Sequence, residues 1–133
     1  MANTTARPRT PLLVALVTIV LIGLASRLSG LPLPLLITKH LGDVLWATMF
    51  YVLVALAAPR WSVVAVALVS FAITAAIELF KLYHAPWIYS VRDVLAAGFL
   101  LGRVFAWGNF IAYLIGTLAG VAIDLALLPR PRR

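Results

Sequence analysis

Residues 62–87 read SVVAVALVSFAITAAIELFKLYHAPW, and this stretch decides the fold. It opens with an uncharged apolar run, and Glu78, Lys81 and His84 then follow before a break at Pro86. A helix that is apolar on every side lies in a large core or in a membrane. Because crossing the hydrocarbon takes roughly 20 apolar residues, the stretch predicts a membrane span with ionisable groups at one end. Such groups at membrane depth are candidate functional residues.

The composition of the whole chain agrees with a bilayer as its solvent. Its 133 residues are 64% hydrophobic and 11% charged, with a mean hydropathy of +1.07, whereas soluble domains are roughly 45–50% apolar and about 25% charged. The absence of cysteine excludes disulfides, thiolate catalysis and zinc–sulfur sites. The net charge of +7 comes from basic residues that flank the apolar runs. We therefore expect a lipid bilayer, and no nucleic acid, as the partner.

Hydropathy predicts an all-α integral membrane protein with four transmembrane helices in one membrane domain, residues 11–128. The predicted spans are residues 11–28, 42–58, 62–82 and 105–128. Residues 1–10 form a polar lead and residues 129–133 a basic tail. The first span also resembles the apolar region of a signal peptide, and we expect it to be retained.

The connections are predicted from their helix-breaking residues and their length. Pro32 and Pro34 predict an interfacial loop that ends at His40. Gly42 then ends the loop, and Asp43 is a suitable cap for the second helix. Residues 88–104 have an apolar core of only residues 94–101, too short to cross the hydrocarbon. They therefore predict a short interfacial or re-entrant helix between helices three and four.

Four spans place both termini on one side, and the basic residues there indicate the cytoplasm. The opposite ends of the spans carry five bases and three acids, namely Arg27, Lys39, Lys81, Arg92, Arg103, Asp43, Glu78 and Asp93. Charges at the edge of the hydrocarbon are expensive unless they are paired or hydrated. We expect them to turn inward and pair. The excess of two bases favours an anionic ligand, such as a phosphate-bearing headgroup.

Helical spacing predicts inward-facing polar stripes on three spans. They comprise Ser70, Thr74, Glu78 and Lys81 on the third span, Asn109, Tyr113, Gly116, Gly120 and Asp124 on the fourth, and Asp43, Trp46, Ala47 and Phe50 on the second. Gly116 and Gly120 form a small-xxx-small pattern that lets helices approach closely. Asp124 is expected to pair with the tail arginines or to face water. The candidate ligand-binding cluster is Arg27, Asp43, Trp46, Glu78, Lys81, His84, Arg92, Arg103, Asn109 and Tyr113.

Four segments of the chain resemble a family of small bacterial membrane proteins grouped as domain of unknown function 2809. They are GLASR at residues 23–27, GDVLWATMFY at 42–51, IELFKLYHAPW at 77–87 and LLGRVFAWGNFIAYLIG at 100–116. The resemblance implies a location in the bacterial cytoplasmic membrane and a role in the envelope. It does not indicate a catalysed reaction.

The pattern is also similar to the VanZ-like proteins, which are named for a glycopeptide-resistance accessory protein. Glu78 fits the acid that ends one of their spans, and Arg103 fits their arginine. Lys81 stands where that pattern has Gln, and Asn109 stands where it has Asp. These two departures leave open whether this chain keeps the function of such proteins.

Each candidate residue also has a purely structural interpretation. Glu78 and Lys81 could be a buried pair that fixes helix register, and Asp43 could be only a cap. Arg27 and Arg92 could extend their side chains to the lipid headgroups. Trp46 and the other tryptophans could anchor the protein at the membrane interface, and His84 could simply lie at that interface. No spacing matches a metal site or a nucleotide fingerprint, so we expect no cofactor.

Three functions remain open, and the first is favoured. The first is a non-enzymatic protein that binds an anionic or amphiphilic envelope molecule, such as an anionic lipid or an envelope precursor, at the outer leaflet. The second is a small proton-coupled transporter or exporter, although the first span carries no acid. The third is an intramembrane enzyme that acts on a lipid headgroup, with Glu78 as general base and Arg103 or Lys81 holding the phosphate. No nucleophile or metal motif supports the third.

Overall fold

The computed structural model describes residues 6–28, 35–80 and 107–129, and these residues form four α-helices. The helices are α1 (Arg9–Leu28), α2 (Leu35–Ala57), α3 (Val63–Phe80) and α4 (Gly108–Leu127). Each contains an apolar stretch of at least 18 residues, long enough to cross a membrane. The prediction of an all-helical, multi-pass membrane fold is confirmed. The short helix predicted at residues 88–104 lies outside the described residues.

The second helix begins earlier than the sequence suggested. It starts at Leu35, directly after the two prolines, and Gly42 and Asp43 lie well inside it. A proline fixes a backbone angle that suits the first turn of a helix, and no residue between Leu35 and Gly42 breaks the helix. The predicted loop is therefore wrong for residues 35–40, and the predicted cap at Asp43 is wrong as well. Asp43 is a carboxylate within a membrane helix, where a capping role cannot account for it.

Helix α2 lies at the centre of the bundle and packs against the other three helices, most extensively against α4. Successive helices α1, α2 and α3 reverse direction, and α4 then runs parallel to α2. This parallel register is visible in two contacts, since Gly116 lies against Val44 and Gly120 lies against Tyr51. The Thr48 hydroxyl joins the same two helices by donating to the Gly116 carbonyl at 2.8 Å.

The bundle has two chemically distinct ends. At the Arg7 end, the segment before α1 contacts the turn between α2 and α3, where the Arg7 amide donates to the Pro59 carbonyl at 3.0 Å. The same segment contacts the end of α4 through Asp124. At the Glu78 end, the last turn of α3 meets the first turn of α4. The start of α1 and the end of α4 therefore both lie at the Arg7 end of the bundle.

The polar stripes predicted on α3 and α4 face the interior. On α3 the buried residues are Val66, Ser70, Thr74 and Glu78, and on α4 they include all five predicted residues, Asn109, Tyr113, Gly116, Gly120 and Asp124. Lys81, the last member predicted for the third span, lies outside the described residues. Large apolar side chains such as Val64, Leu68, Ile111 and Leu118 are exposed on the outside of the bundle. This distribution suits a protein whose exterior meets lipid and whose helix contacts are polar or small.

Candidate functional site

Glu78 is the centre of the Glu78 end, and its side chain is completely buried, with 0% exposure. Its Oε1 accepts a hydrogen bond from Asn109 Nδ2 at 2.9 Å, and its Oε2 accepts one from the Tyr113 hydroxyl at 2.5 Å. Asn109 and Tyr113 are four residues apart, so they present their donors from the same face of α4. Hydrogen bonds to a charged acceptor are roughly twice as strong as neutral ones. Two such bonds join α3 to α4 at this end.

Trp46 brings α2 into the same cluster. Its ring packs against the ring of Tyr113, with 5.3 Å between centroids, and against Phe50 at 4.7 Å. Asp43 lies one turn before Trp46, is half-buried and interacts electrostatically with Tyr113. Trp46 is therefore part of the polar cluster and not only an anchor at the membrane interface.

The structure brings together half of the predicted cluster. Asp43, Trp46, Glu78, Asn109 and Tyr113 meet where α2, α3 and α4 converge. Arg27 belongs to the last turn of α1 at this same end, but its side chain is outside the description. Lys81, His84, Arg92 and Arg103 lie outside the described residues altogether, and their membership stays a prediction.

Trp46 and Asn109 each have a buried polar atom with no hydrogen-bond partner among the described residues. The indole Nε1 of Trp46 is a donor, and the amide Oδ1 of Asn109 is an acceptor. Asn109 is only 2% exposed, and its amide nitrogen already holds Glu78. Leaving one buried polar group unsatisfied costs about 1–3 kcal/mol. Trp46 and Asn109 therefore offer a donor and an acceptor to a further molecule.

Aromatic rings connect this cluster to the outside of the bundle. Beyond Tyr113, the ring of Phe110 lies 6.5 Å away, and the ring of Trp107 lies 5.7 Å from Phe110. Trp107 is 74% exposed. With Trp46 and Phe50, these rings form one continuous row from the surface at the start of α4 to the partners of Glu78.

The Arg7 end holds a second buried carboxylate, Asp124, whose partner Arg7 was not predicted from the sequence. Arg7 Nε donates to Asp124 Oδ1 at 2.7 Å, and the Tyr51 hydroxyl donates to Asp124 Oδ2 at 2.6 Å. Arg7 Nη1 also donates to the carbonyl of Trp61 at 2.6 Å. Arg7 is 4% exposed and Asp124 is 1% exposed. Asp124 thus pairs with Arg7 of the predicted lead and does not face water. The tail arginines, which were the other predicted partners, lie outside the described residues.

The two carboxylates have similar hydrogen-bond donors, but the polar atoms around them differ in whether they are hydrogen-bonded. Each accepts a hydrogen bond from a buried tyrosine, Tyr51 for Asp124 and Tyr113 for Glu78. Asp124 has both oxygens occupied and a full cationic partner, which is the arrangement of a structural ion pair. The Glu78 cluster retains an unused donor and an unused acceptor. Within residues 6–28, 35–80 and 107–129, no three His, Asp or Glu side chains come together to hold a metal ion.

Fold and site together define a multi-pass membrane protein with a buried polar cluster at one end of its helices. The chain matches the family described as protein of unknown function (DUF2809) over residues 33–117, well over half of its length, and it belongs to this family. The predicted resemblance to that family is confirmed. No solved structure matches the chain. The matched range includes the Glu78 cluster, whereas Arg7 and Asp124 lie outside it.

Proposed function

We propose that this protein binds the headgroup of a phosphate-bearing amphiphile at the Glu78 end of the bundle, without catalysing a reaction. The observation that carries the proposal is the Asn109 side chain, which is buried, holds Glu78 through its nitrogen and leaves its oxygen without a described partner. A cluster that served only to join helices would be most stable with every buried atom satisfied. An unused donor and acceptor at its centre favour a ligand site.

The basic residues of the sequence support the anionic part of the ligand. Arg27 ends α1 at this side of the bundle, and Lys81 follows Glu78 three residues later in the sequence. Arg103 precedes Asn109 by six residues. Guanidinium groups match phosphate geometry with two parallel hydrogen bonds. An accessory role in the bacterial envelope, as the VanZ-like pattern implies, is part of this proposal.

Two matched tyrosine variants test the site. Tyr113→Phe and Tyr51→Phe each remove one hydroxyl from a buried tyrosine that holds a carboxylate, so their costs in stability should be similar. In native mass spectrometry from mild detergent, the wild-type protein should carry a phospholipid. Tyr113→Phe should weaken its binding several-fold, because Glu78 loses the hydroxyl that orients it and the cluster around Asn109 loosens, and Tyr51→Phe should retain it. Equal retention or equal loss in both variants would contradict the proposal.

The proposal also places the Glu78 end at the outer leaflet of the cytoplasmic membrane. The chain lacks cysteine, so single cysteines can report its orientation. Trp61→Cys marks the Arg7 end, and Gly108→Cys marks the Glu78 end at a position where an added Cβ meets nothing within 4 Å. A membrane-impermeant thiol reagent should label Gly108→Cys in intact cells and Trp61→Cys only after lysis. The reverse labelling pattern would show that the Glu78 end faces the cytoplasm and would contradict this placement.

A further inference from the structure

The donor of Trp46 and the acceptor of Asn109 that remain unused are both uncharged groups. Trp46 Nε1 is an indole N–H and Asn109 Oδ1 is an amide oxygen, and neither has a hydrogen-bond partner among the described residues. Burying a charged group against uncharged ones is costly, whereas a neutral polar group is buried at little cost once it is hydrogen-bonded. A neutral ligand group therefore suits these two atoms best. Neither atom carries a charge, so this holds whatever charged partners Asp43 and Glu78 have.

Hydrogen-bonding capacity then distinguishes the groups that phospholipid headgroups carry. A hydroxyl both donates and accepts hydrogen bonds, so it matches an amide oxygen and an indole N–H alike. A primary ammonium only donates, a quaternary ammonium does neither, and an ionised phosphate oxygen only accepts. A headgroup with two or more hydroxyls would therefore satisfy Asn109 Oδ1 and Trp46 Nε1 together.

The side chains of Trp46 and Asn109 lie around the same tyrosine. The Trp46 ring is 5.3 Å from the ring of Tyr113, measured between centroids. Tyr113 and Asn109 donate to the two oxygens of one carboxylate, that of Glu78. Asn109 is 2% exposed, so a group that completes its hydrogen bonds must enter the cluster. One headgroup beside Tyr113 is enough to contact both side chains.

The rings at the start of α4 suit the carbon atoms of such a headgroup. Trp107 is 74% exposed, its ring lies 5.7 Å from that of Phe110, and the Phe110 ring lies 6.5 Å from that of Tyr113. A glycerol or sugar group presents C–H groups as well as hydroxyls. The negative face of an aromatic ring attracts the weakly positive hydrogens of C–H groups. These rings extend from the surface of the bundle to the side chains around Tyr113.

We infer that the ligand is a lipid whose phosphate carries a hydroxylated group, either glycerol or a sugar-like ring, and that its hydroxyls donate to Asn109 Oδ1 and accept from Trp46 Nε1. This inference rests on the proposed function, since it names the headgroup that the same site takes. The hydroxyls provide selectivity, whereas the phosphate and the acyl chains are common to all phospholipids.

The test compares two phospholipids that differ only in hydroxyl groups. Phosphatidylglycerol and phosphatidylpropanol can be prepared with the same acyl chains, and they have the same negative charge and the same number of headgroup carbons. Only phosphatidylglycerol has headgroup hydroxyls. On the full-length, delipidated protein in a neutral detergent, native mass spectrometry should show roughly tenfold tighter binding of phosphatidylglycerol, the factor that two neutral hydrogen bonds contribute.

A third lipid distinguishes the two forms of hydroxylated headgroup. Phosphatidylinositol carries a ring of hydroxyls on its phosphate and has the same charge. The tighter binder of phosphatidylinositol and phosphatidylglycerol identifies the headgroup as a sugar-like ring or as glycerol. If neither binds more tightly than phosphatidylpropanol, the inference is overturned.

Trp46→Phe tests the hydrogen bond from the side of the protein. It keeps a ring beside Tyr113 but loses the indole N–H, so it should weaken phosphatidylglycerol several-fold and leave the affinity for phosphatidylpropanol unchanged. The matched control is Trp61→Phe, the same change at a tryptophan that is exposed at the Arg7 end, and it should change neither affinity. Equal weakening of both lipids by Trp46→Phe would contradict the inference.

Asn109→Ala tests the other hydrogen bond. It removes the amide oxygen and should lower the affinity for phosphatidylglycerol to that for phosphatidylpropanol. Because Asn109 also donates to Glu78, retained binding of phosphatidylpropanol is the control that the site is still formed. If this variant does not fold, Trp46→Phe still decides the question.

The outcomes distinguish this inference from the proposed function. If the three lipids bind the wild type equally well and Tyr113→Phe weakens them all, the site exists but does not select hydroxyls, and only the inference is overturned. If the wild-type protein binds none of the three, both the inference and the proposed function are wrong.

Discussion

Replacing Asp124 with leucine is expected to destabilise the protein by about 3–5 kcal/mol, the usual effect of removing one partner from a buried ion pair. The variant would leave the guanidinium of Arg7, which is 4% exposed, without its carboxylate. It would also leave the Tyr51 hydroxyl without its acceptor. Equilibrium unfolding in mixed detergent micelles measures the loss, as a lower midpoint with an unchanged slope.

A double variant shows whether the loss comes from the unpaired charge. Arg7→Met combined with Asp124→Leu removes both charges, and apolar replacements of a buried pair are often neutral or stabilising. The double variant should therefore regain most of the stability lost in Asp124→Leu. Arg9→Met is the matched control, because Arg9 is exposed in the same segment, and it should change stability by less than about 0.5 kcal/mol. A double variant as unstable as the single one would contradict the ion-pair explanation.

The Arg7 pair also shows how the segment before α1 contributes to the membrane domain. Through its side chain and its amide, Arg7 contacts α4 at Asp124 and the turn between α2 and α3 at Pro59 and Trp61. Helix α1 otherwise packs mainly on α2. One residue thus ties three segments together at the Arg7 end, which leaves the Glu78 end as the place where helices meet around an incomplete polar cluster.

The helices and their inward faces could be predicted because the bilayer imposes simple rules. Apolar runs long enough to span a membrane become helices, since every backbone polar group must be satisfied internally. Polar residues recurring at helical spacing must then face other helices. These rules correctly gave the stripes through Thr74 and Glu78 on α3 and through Asn109 and Asp124 on α4.

The start of α2 could not be predicted in the same way, because one signal has two structural meanings. Pro34 can end a helix or precede the first turn of a new one. Asp43 has the side chain of a helix cap, but the helix had already begun at Leu35. A carboxylate after a glycine indicates a helix start only when the preceding residues are not helical, and local sequence does not contain that information.

The partners of the two buried acids show a second limit. The burial of Glu78 follows from its position at the end of an apolar run. The choice of Asn109 and Tyr113 as its donors depends on how closely α3 and α4 approach. Arg7 and Asp124 are 117 residues apart, so no spacing rule connects them. The sequence did contain one useful signal, since Asp124 shares the buried stripe of α4 and therefore required a partner.

Adding one methyl group at Gly116 is expected to have an effect of similar size, about 3 kcal/mol, at the high end of the cost of overpacking. A Cβ there would collide with the carbonyl oxygen of Val44 and lie 2.7 Å from the Cβ of Ala47. Because the first of these atoms is backbone, α2 and α4 must move apart. The hydrogen bond from Thr48 to the Gly116 carbonyl would then lengthen.

The matched control for Gly116→Ala is Gly23→Ala on α1, where an added Cβ meets nothing within 4 Å. Alanine is favoured over glycine in a helix by about 0.5–1 kcal/mol, so this variant should be as stable as the wild type or slightly more stable. Unfolding in mixed micelles should separate the two variants widely. If both variants had the same unfolding midpoint, the close contact between α2 and α4 would not limit stability. If Gly116→Ala alone is unstable, the tight α2–α4 contact is what holds Trp46 against Tyr113, and the same variant should also weaken phospholipid binding at the Glu78 end.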